Sequence, residues 1–185
     1  MQHNNVVIED NFLPRNTLRE LQSHILTEET LFLWALGRIM LDDENGVQYG
    51  DKLKDGSFNL MMGHLFYNKS VPLSPIFEYM VPIIEKLDPV SLIRGKINLY
   101  FGTEKHIVHG YHVDNNLKNC TTCIYFLNTN NGKLYFKDGT VVDSVENRAV
   151  IFDSQTLHSG STCTDQKYRC TINFNYIDRR GVISS

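Results

Sequence analysis

Between Lys167 and Ile177 the chain alternates without a slip. Tyr168, Cys170, Ile172, Phe174 and Tyr176 fall at one parity, and Arg169, Thr171, Asn173 and Asn175 at the other. A period of two marks a β-strand, because successive side chains leave the pleat on opposite faces. The apolar face must pack against helices or a second sheet. The polar face is expensive to bury in an apolar core, so it meets either open water or a polar cavity. Several further short strands at regular spacing favour a barrel or sandwich, where such a cavity is natural. The strand therefore predicts a β architecture with a polar pocket lined by Arg169, Thr171, Asn173 and Asn175.

The remaining pattern changes character once. After Leu92 the chain reads mainly as strand. Ile97, Leu99 and Phe101 alternate with Asn98 and Tyr100, and Thr121–Leu127 is β-branched and aromatic. Gly132–Phe136 and Thr140–Val142 flank the turn signal Lys137-Asp138-Gly139, and Arg148–Phe152 is another short strand. Before Leu87 the chain reads as helix and loop. Val6–Phe12 is an opening strand or extended segment. One helix starts at Asn16-Thr17, with Thr17 and Glu20 in capping-box spacing and Leu18, Leu21, Ile25 and Leu26 on one face. A second starts at Ser74-Pro75, with serine as N-cap, and buries Ile76, Met80, Ile83, Ile84 and Leu87. Pro82 is expected to kink or split it. Asp42–Asn68 reads as irregular, either a surface excursion with one or two short strands or a substrate-covering loop. The expected organisation is α+β with a mainly β core and helices on one outer face. It is one domain over 1–185, with a helical and irregular support region over 1–92 and a β core over 93–178.

Composition narrows the partners. The 185 residues are 42% apolar and 21% charged, ordinary for a soluble globular domain. A net charge of −3 offers no global field for nucleic acid or anionic lipid. No apolar run approaches the ~18 residues that span a bilayer, and the first residues lack the basic and apolar regions of a signal peptide. Four cysteines are too few for a disulfide scaffold, so a reducing cytoplasm is the expected home.

Chemistry concentrates in His112-Val113-Asp114, His158 and Arg169. If His112 and Asp114 sit at i and i+2 of a strand, both point into the pocket while Val113 packs behind. His158, in the loop after Val150–Asp153, must come to them through the fold. Two neutral imidazoles and one carboxylate suit ferrous iron with open positions for a co-substrate and oxygen. Arg169 suits the far carboxylate of a keto acid such as 2-oxoglutarate. His106 and His109 are rival ligands but lie in a loop-like segment without a carboxylate at i+2, and read as rim residues. His3, His24 and His64 read as surface or satisfied structural histidines. Cys120 and Cys123 would leave a strand on opposite faces and have no partner pair at zinc-ribbon spacing, so they read as structural. Asn68-Lys69-Ser70 is a sequon without consequence in an unsecreted chain.

These residues, in this order, resemble the iron(II)- and 2-oxoglutarate-dependent dioxygenases, in their prolyl 4-hydroxylase-like branch. The resemblance spans roughly Ile93–Asp178 and the opening segment Val6–Leu13. It rests on His112-Val113-Asp114, Cys120–Asn128, Gly132–Phe136, His158 and Arg169-Cys170-Thr171. It implies a double-stranded β-helix of the jelly-roll or cupin type. His112, Asp114 and His158 would be the iron ligands. Arg169 would hold the distal carboxylate of 2-oxoglutarate, helped by Thr171 or Asn173. Tyr100 would contact the co-substrate near the metal, and Ile124, Phe126 and Leu134 would wall its slot. Three positions depart from the pattern: Phe126 where a tyrosine is common, Gly132 as a single glycine, and Asn147 where glycine or proline is usual.

The implied activity is hydroxylation of an unactivated C–H bond, with O2 and 2-oxoglutarate consumed, succinate and CO2 released, and ascorbate as a candidate reductant. The substrate would be a peptidyl residue such as proline, another protein side chain, or a small molecule. Asp114 argues against a halogenase. Asn175 stands where the nucleic-acid-demethylating branch carries a second arginine. The alternatives are a non-catalytic binding module that kept the fold, and a zinc hydrolase, which would give Arg169 no task. Oligomeric state is left open.

Overall fold

The computed structural model describes residues 6–27, 30–43, 46–50 and 60–179. In chain order the elements are β1 (Val7–Glu9), α1 (Arg15–Ile25), β2 (Ala35–Asp43), β3 (Gly46–Gly50), β4 (Leu60–Asn68), β5 (Val71–Pro72) and α2 (Phe77–Leu87). They continue as β6 (Pro89–Phe101), β7 (Cys120–Phe126), β8 (Lys133–Phe136), β9 (Val141–Asp143), β10 (Arg148–Asp153), β11 (His158–Gly160) and β12 (Tyr168–Asp178). The large antiparallel sheet runs β1-β10-β7-β12-β6-β4-β2-β3, with β5 paired to β4. A small sheet, β11-β8-β9, lies apart from it.

The predicted alternation of β12 explains the layering. Cys170, Ile172, Phe174 and Tyr176 join the apolar cluster that also takes Leu18, Leu21 and Ile25 of α1 and Met80, Ile83 and Leu87 of α2. The helices thus cover one outer face of the large sheet. A second apolar cluster forms on the other face, from Ile124, Phe126, Val150 and Phe152 of the large sheet and Leu134, Phe136 and Val142 of the small one. Each strand in the middle is therefore sided. In β7, Cys123 and Tyr125 face the helices while Ile124 and Phe126 face inward.

Asn147 ties the N-terminal segment to this core. Its φ is +64°, a left-handed conformation that asparagine tolerates better than most residues. Its Oδ1 accepts from Leu13 N and from the Tyr125 hydroxyl, each at 2.8 Å, and its Nδ2 donates to Leu13 O at 2.8 Å. The departure noted in the sequence therefore has a structural task.

Several expectations need correction. Helix α1 begins at Arg15 after Pro14, with no side-chain cap, so Thr17 and Glu20 lie inside it rather than at a capping box. Helix α2 begins at Phe77. Ser74 and Pro75 form the turn before it, and the Ser74 hydroxyl is taken by His64 Nε2 at 2.7 Å instead of capping the helix. The helix runs through Pro82 unsplit. The segment expected to be irregular contributes β3 and β4 and the end of β2. The bulge between Leu65 and Tyr67 breaks the alternation of β4, which hides the strand from a period-two reading. Residues 51–59 of that segment lie outside the described residues. Strand β6 also begins at Pro89, ahead of the expected boundary at residue 93. Among the described residues no helix is long and apolar enough to cross a membrane.

Candidate metal centre and its cleft

His112, Asp114 and His158 converge. One ligand atom from each lies within 4.8 Å of the others. His158 opens β11, while His112 lies in an otherwise irregular segment and meets it through a single antiparallel bridge. The backbone bonds run both ways, His112 N to His158 O at 2.9 Å and His158 N to His112 O at 3.0 Å. The expected strand around His112 is thus reduced to one bridge, which is enough to set the pair. Asp114 N donates to Ser154 O at 3.2 Å and fixes the third member. Val113, expected to pack behind, contributes to the cleft lining.

The ring orientations suit ligation. His112 Nδ1 lies 3.1 Å from Gly110 O, and His158 Nδ1 lies 2.9 Å from Thr156 O. A carbonyl only accepts, so each Nδ1 carries a proton, and in the neutral ring that leaves the lone pair on Nε2. Burial lowers the proton affinity of His158, with His112 adding to the fall, and keeps its ring neutral; Asp114 and the Thr156 carbonyl oppose the shift. The edge of Phe152 packs against that ring, 4.8 Å between centroids.

Asp114 is oriented as firmly. Its Oδ2 accepts from Thr122 Oγ1 at 2.8 Å and from Asn175 Nδ2 at 3.1 Å, while Oδ1 stands 3.9 Å from His158 Nε2. Asn175 Nδ2 also donates to Thr122 Oγ1 at 2.9 Å. Because the Thr122 proton goes to Asp114, the 2.9 Å contact with Ser154 is donated by the Ser154 hydroxyl. Sequence reasoning placed Asn175 on the pocket-lining face without a part in holding Asp114, and gave Thr122 and Ser154 no role. The usable signal was parity: Thr122 and Asn175 occupy inward positions of β7 and β12.

Arg169 is 2% exposed, and among the described residues no carboxylate pairs with it. Its Nε donates to Ser144 Oγ at 2.8 Å, and its guanidinium lies 5.5 Å from the Tyr100 ring and 5.3 Å from the Phe126 ring. A Cβ on Gly132 would come within 2.7 Å of Arg169 Cδ and 2.8 Å of Asn130 Oδ1, so glycine is what lets the arginine lie there. A buried guanidinium without an acid partner is an anion site in waiting. Thr171, also 2% exposed, donates to Asn173 Oδ1 at 3.2 Å. Ile124 and Leu134 belong to the inner apolar cluster with Phe126.

No family model matches the sequence, and no curated protein matches it either. Solved structures do. A prolyl hydroxylase from Trichoplax adhaerens, in complex with a hypoxia inducible factor oxygen degradation domain peptide fragment, superposes with a TM-score of 0.63 at 17% identity, over 98% of this chain and 88% of that one. The viral collagen prolyl hydroxylase of Paramecium Bursaria Chlorella virus-1, as its 2OG complex, gives 0.57 at 12% identity, over 94% and 96% of the two chains. The non-heme alpha ketoglutarate dependent epimerase SnoN from nogalamycin biosynthesis gives 0.61 at 12% identity, over 95% and 79%. The fold is the double-stranded β-helix of these oxygenases.

Within this double-stranded β-helix a cleft of about 410 Å³ opens beside the triad. Its wall includes Tyr100, His112, Asp114, Asn173 and, unforeseen, His109, Lys96, Arg94 and Asn98. His158, Arg169, Thr171, Ile124 and Leu134 are buried and do not line it. His109 is no rim residue. It is 5% exposed, stacks on Tyr100 with centroids 5.1 Å apart, and has a buried Nε2 with no partner. Burial drives its proton affinity down to about 3, with Arg169 and His112 adding to the fall. Tyr100 is likewise held as the neutral phenol, mainly by burial. His106 is exposed, as expected. His64 is a satisfied structural histidine, stacked on Phe32 and bonded through both ring nitrogens. The four cysteines are free and buried.

Proposed function

We propose that this protein is an iron(II)- and 2-oxoglutarate-dependent oxygenase that hydroxylates an unactivated C–H bond. One observation carries the reading: three ligand atoms meet with their lone pairs free, and a buried guanidinium without an acid partner shares the same interior. The donor set fits a ferrous ion, since neutral imidazoles and one carboxylate leave it a net positive charge and open positions. Arg169 fits the distal carboxylate of 2-oxoglutarate, with Thr171 and Asn173 offering hydrogen bonds and Tyr100 lying alongside. Ile124, Phe126 and Leu134 supply apolar walls. Together with O2, the bound pair supplies the oxidising power for hydroxylation, with succinate and CO2 as the co-substrate's products.

The chain's own part is geometric. The Gly110 and Thr156 carbonyls keep both imidazoles in the ligating tautomer. Thr122 and Asn175 hold Asp114 by one oxygen and free the other. Phe126, Phe136 and Phe152 exclude water behind the triad. The substrate we assign first is a peptidyl residue such as proline, in line with the peptide bound by the Trichoplax enzyme. A small molecule is the second reading, favoured by the likeness to SnoN. Free buried cysteines suit a cytoplasmic setting.

The test is iron-dependent formation of succinate from 2-oxoglutarate. It should be lost in His112→Ala and Asp114→Ala, both of which should still give a wild-type far-UV spectrum. Unchanged turnover in either variant refutes the assignment.

A further inference from the structure

The inner row of β6 carries more charge than the co-substrate needs. Arg94, Lys96, Asn98 and Tyr100 share one face of the strand and all line the cleft, while Ile97 turns to the helix side. Their partners on β12 fix the order of the row. Tyr100 pairs with Arg169, Asn98 with Thr171, Lys96 with Asn173, and Arg94 with Asn175, the residue that holds Asp114. Two cations therefore stand at the opposite end of the row from Arg169, each step of two residues spanning about 6.6 Å. Among the described residues neither Arg94 nor Lys96 forms an ion pair. Among the described residues, the carboxylate whose charge acts on Lys96 is Asp114, which the triad already uses.

Two further features mark a built site. A Cβ on Gly63 would lie 2.9 Å from Lys96 Cε and 3.3 Å from Lys96 Nζ, so β4 leaves a gap in which the lysine lies along the cleft wall. Asn98 is 5% exposed, lines the same cleft, and its Oδ1 has no hydrogen-bond partner. An unpaired acceptor one step along the row from a lysine matches a ligand with an anion and, beside it, an N–H or O–H donor.

Resting on the reading of the triad and Arg169 given above, we propose that Arg94, Lys96 and Asn98 bind the substrate itself. The substrate, whether a peptidyl residue or a small molecule, carries a carboxylate or phosphate close to the carbon that is oxidised, with a hydrogen-bond donor next to that anion. On that reading Arg169 would hold one carboxylate of 2-oxoglutarate and the metal the other, so neither explains this second cationic end. Such a group directs the reacting C–H bond by charge rather than by shape, because an apolar wall orients a small substrate only weakly while a paired anion fixes it in register.

The test uses inorganic phosphate and acetate as probes, titrated calorimetrically into the metal-free protein at constant ionic strength. Four proteins are compared: wild type, Arg94→Met, Lys96→Met and Arg169→Met. Phosphate binding should survive Arg169→Met and weaken at least tenfold in both Arg94→Met and Lys96→Met, and acetate should follow the same order. Arg94→Met decides alone if Lys96→Met does not fold. Binding that is lost in Arg169→Met and untouched in Arg94→Met overturns the proposal, and so does the absence of any millimolar binding in wild type. Stimulated succinate release by small phosphorylated or carboxylated compounds, against their neutral counterparts, then separates the two anion sources. A protein that binds phosphate through Arg94 and Lys96 yet binds neither Mn(II) nor 2-oxoglutarate would refute the cofactor reading and leave this site standing.

Discussion

Replacing Lys96 by methionine should make the protein more stable. Methionine keeps an unbranched chain of similar length in the gap that Gly63 leaves, and removes only the ammonium. Burial lowers the Lys96 proton affinity from 10.5 to about 8, with Arg94 adding to the fall and Asp114 opposing it. Below about 8 both the folded and the unfolded chain hold the proton, and the folded state carries the whole cost of a desolvated cation. Between about 8 and 10.5 the unfolded chain holds more protons, so stability rises with pH across that window. At about 1.4 kcal/mol per pH unit the ceiling is roughly 3 kcal/mol. Lys96 keeps some contact with water, and screening reduces the expected gain to about 1–2 kcal/mol at neutral pH. For a chain of this size that is a rise in Tm of roughly 2–8 °C. Thermal melts of wild type and Lys96→Met, followed by circular dichroism from neutral pH to about 10, read the difference directly. The gain should be full at neutral pH and shrink through the upper window. A variant no more stable than wild type at neutral pH, or a gain that ignores pH, refutes the reasoning.

Two other perturbations bear on different parts of the structure. Asn175→Ala or Thr122→Val removes a donor from Asp114 Oδ2, and Mn(II) affinity should fall about 10- to 100-fold while the fold survives; titration of the metal by electron paramagnetic resonance checks it. Asn147→Ala strands Leu13 N, Leu13 O and the Tyr125 hydroxyl and puts alanine at positive φ, so urea denaturation should show a loss of roughly 3–4 kcal/mol.

What the sequence disclosed follows from how each signal is encoded. The two faces of β12 were legible because their residue types differ so sharply. The triad was legible because ligand chemistry limits the residue types. Strand β4 was not, because its bulge resets the alternation and both its faces are partly covered. The capping serine misled because Ser74 had a second suitor in His64, ten residues earlier in the chain but adjacent in space. His109 looked like a loop residue and is one by backbone. Its burial comes from Tyr100 and from the bond its backbone N donates to Gly160 O, long-range contacts without a local mark. Arg94 and Lys96 sat in plain view at inward parity, but a charged residue near a strand end is normally a solvated one. Only the register with Asn175 and Asn173 turns them toward the cleft.

The charge arrangement of the interior has a consequence for the whole molecule. Arg169 at one end of the β6–β12 row, and Arg94 and Lys96 at the other, are cations without acid partners among the described residues, while Asp114, bonded to Asn175 at the second end, is committed to two hydrogen-bond donors. A fold selected for stability alone would neutralise these groups or replace them with apolar side chains of similar volume. Retaining them burdens the folded state with desolvated positive charge, and anything that brings negative charge into the interior offsets that cost. The stability of this protein should therefore depend on its ligands from both ends. 2-Oxoglutarate should raise Tm through Arg169, and phosphate should raise it through Lys96, by mass action on the folded state alone. Because the two ends stand several strand residues apart, the increments should add, and Lys96→Met should abolish the second increment while leaving the first intact.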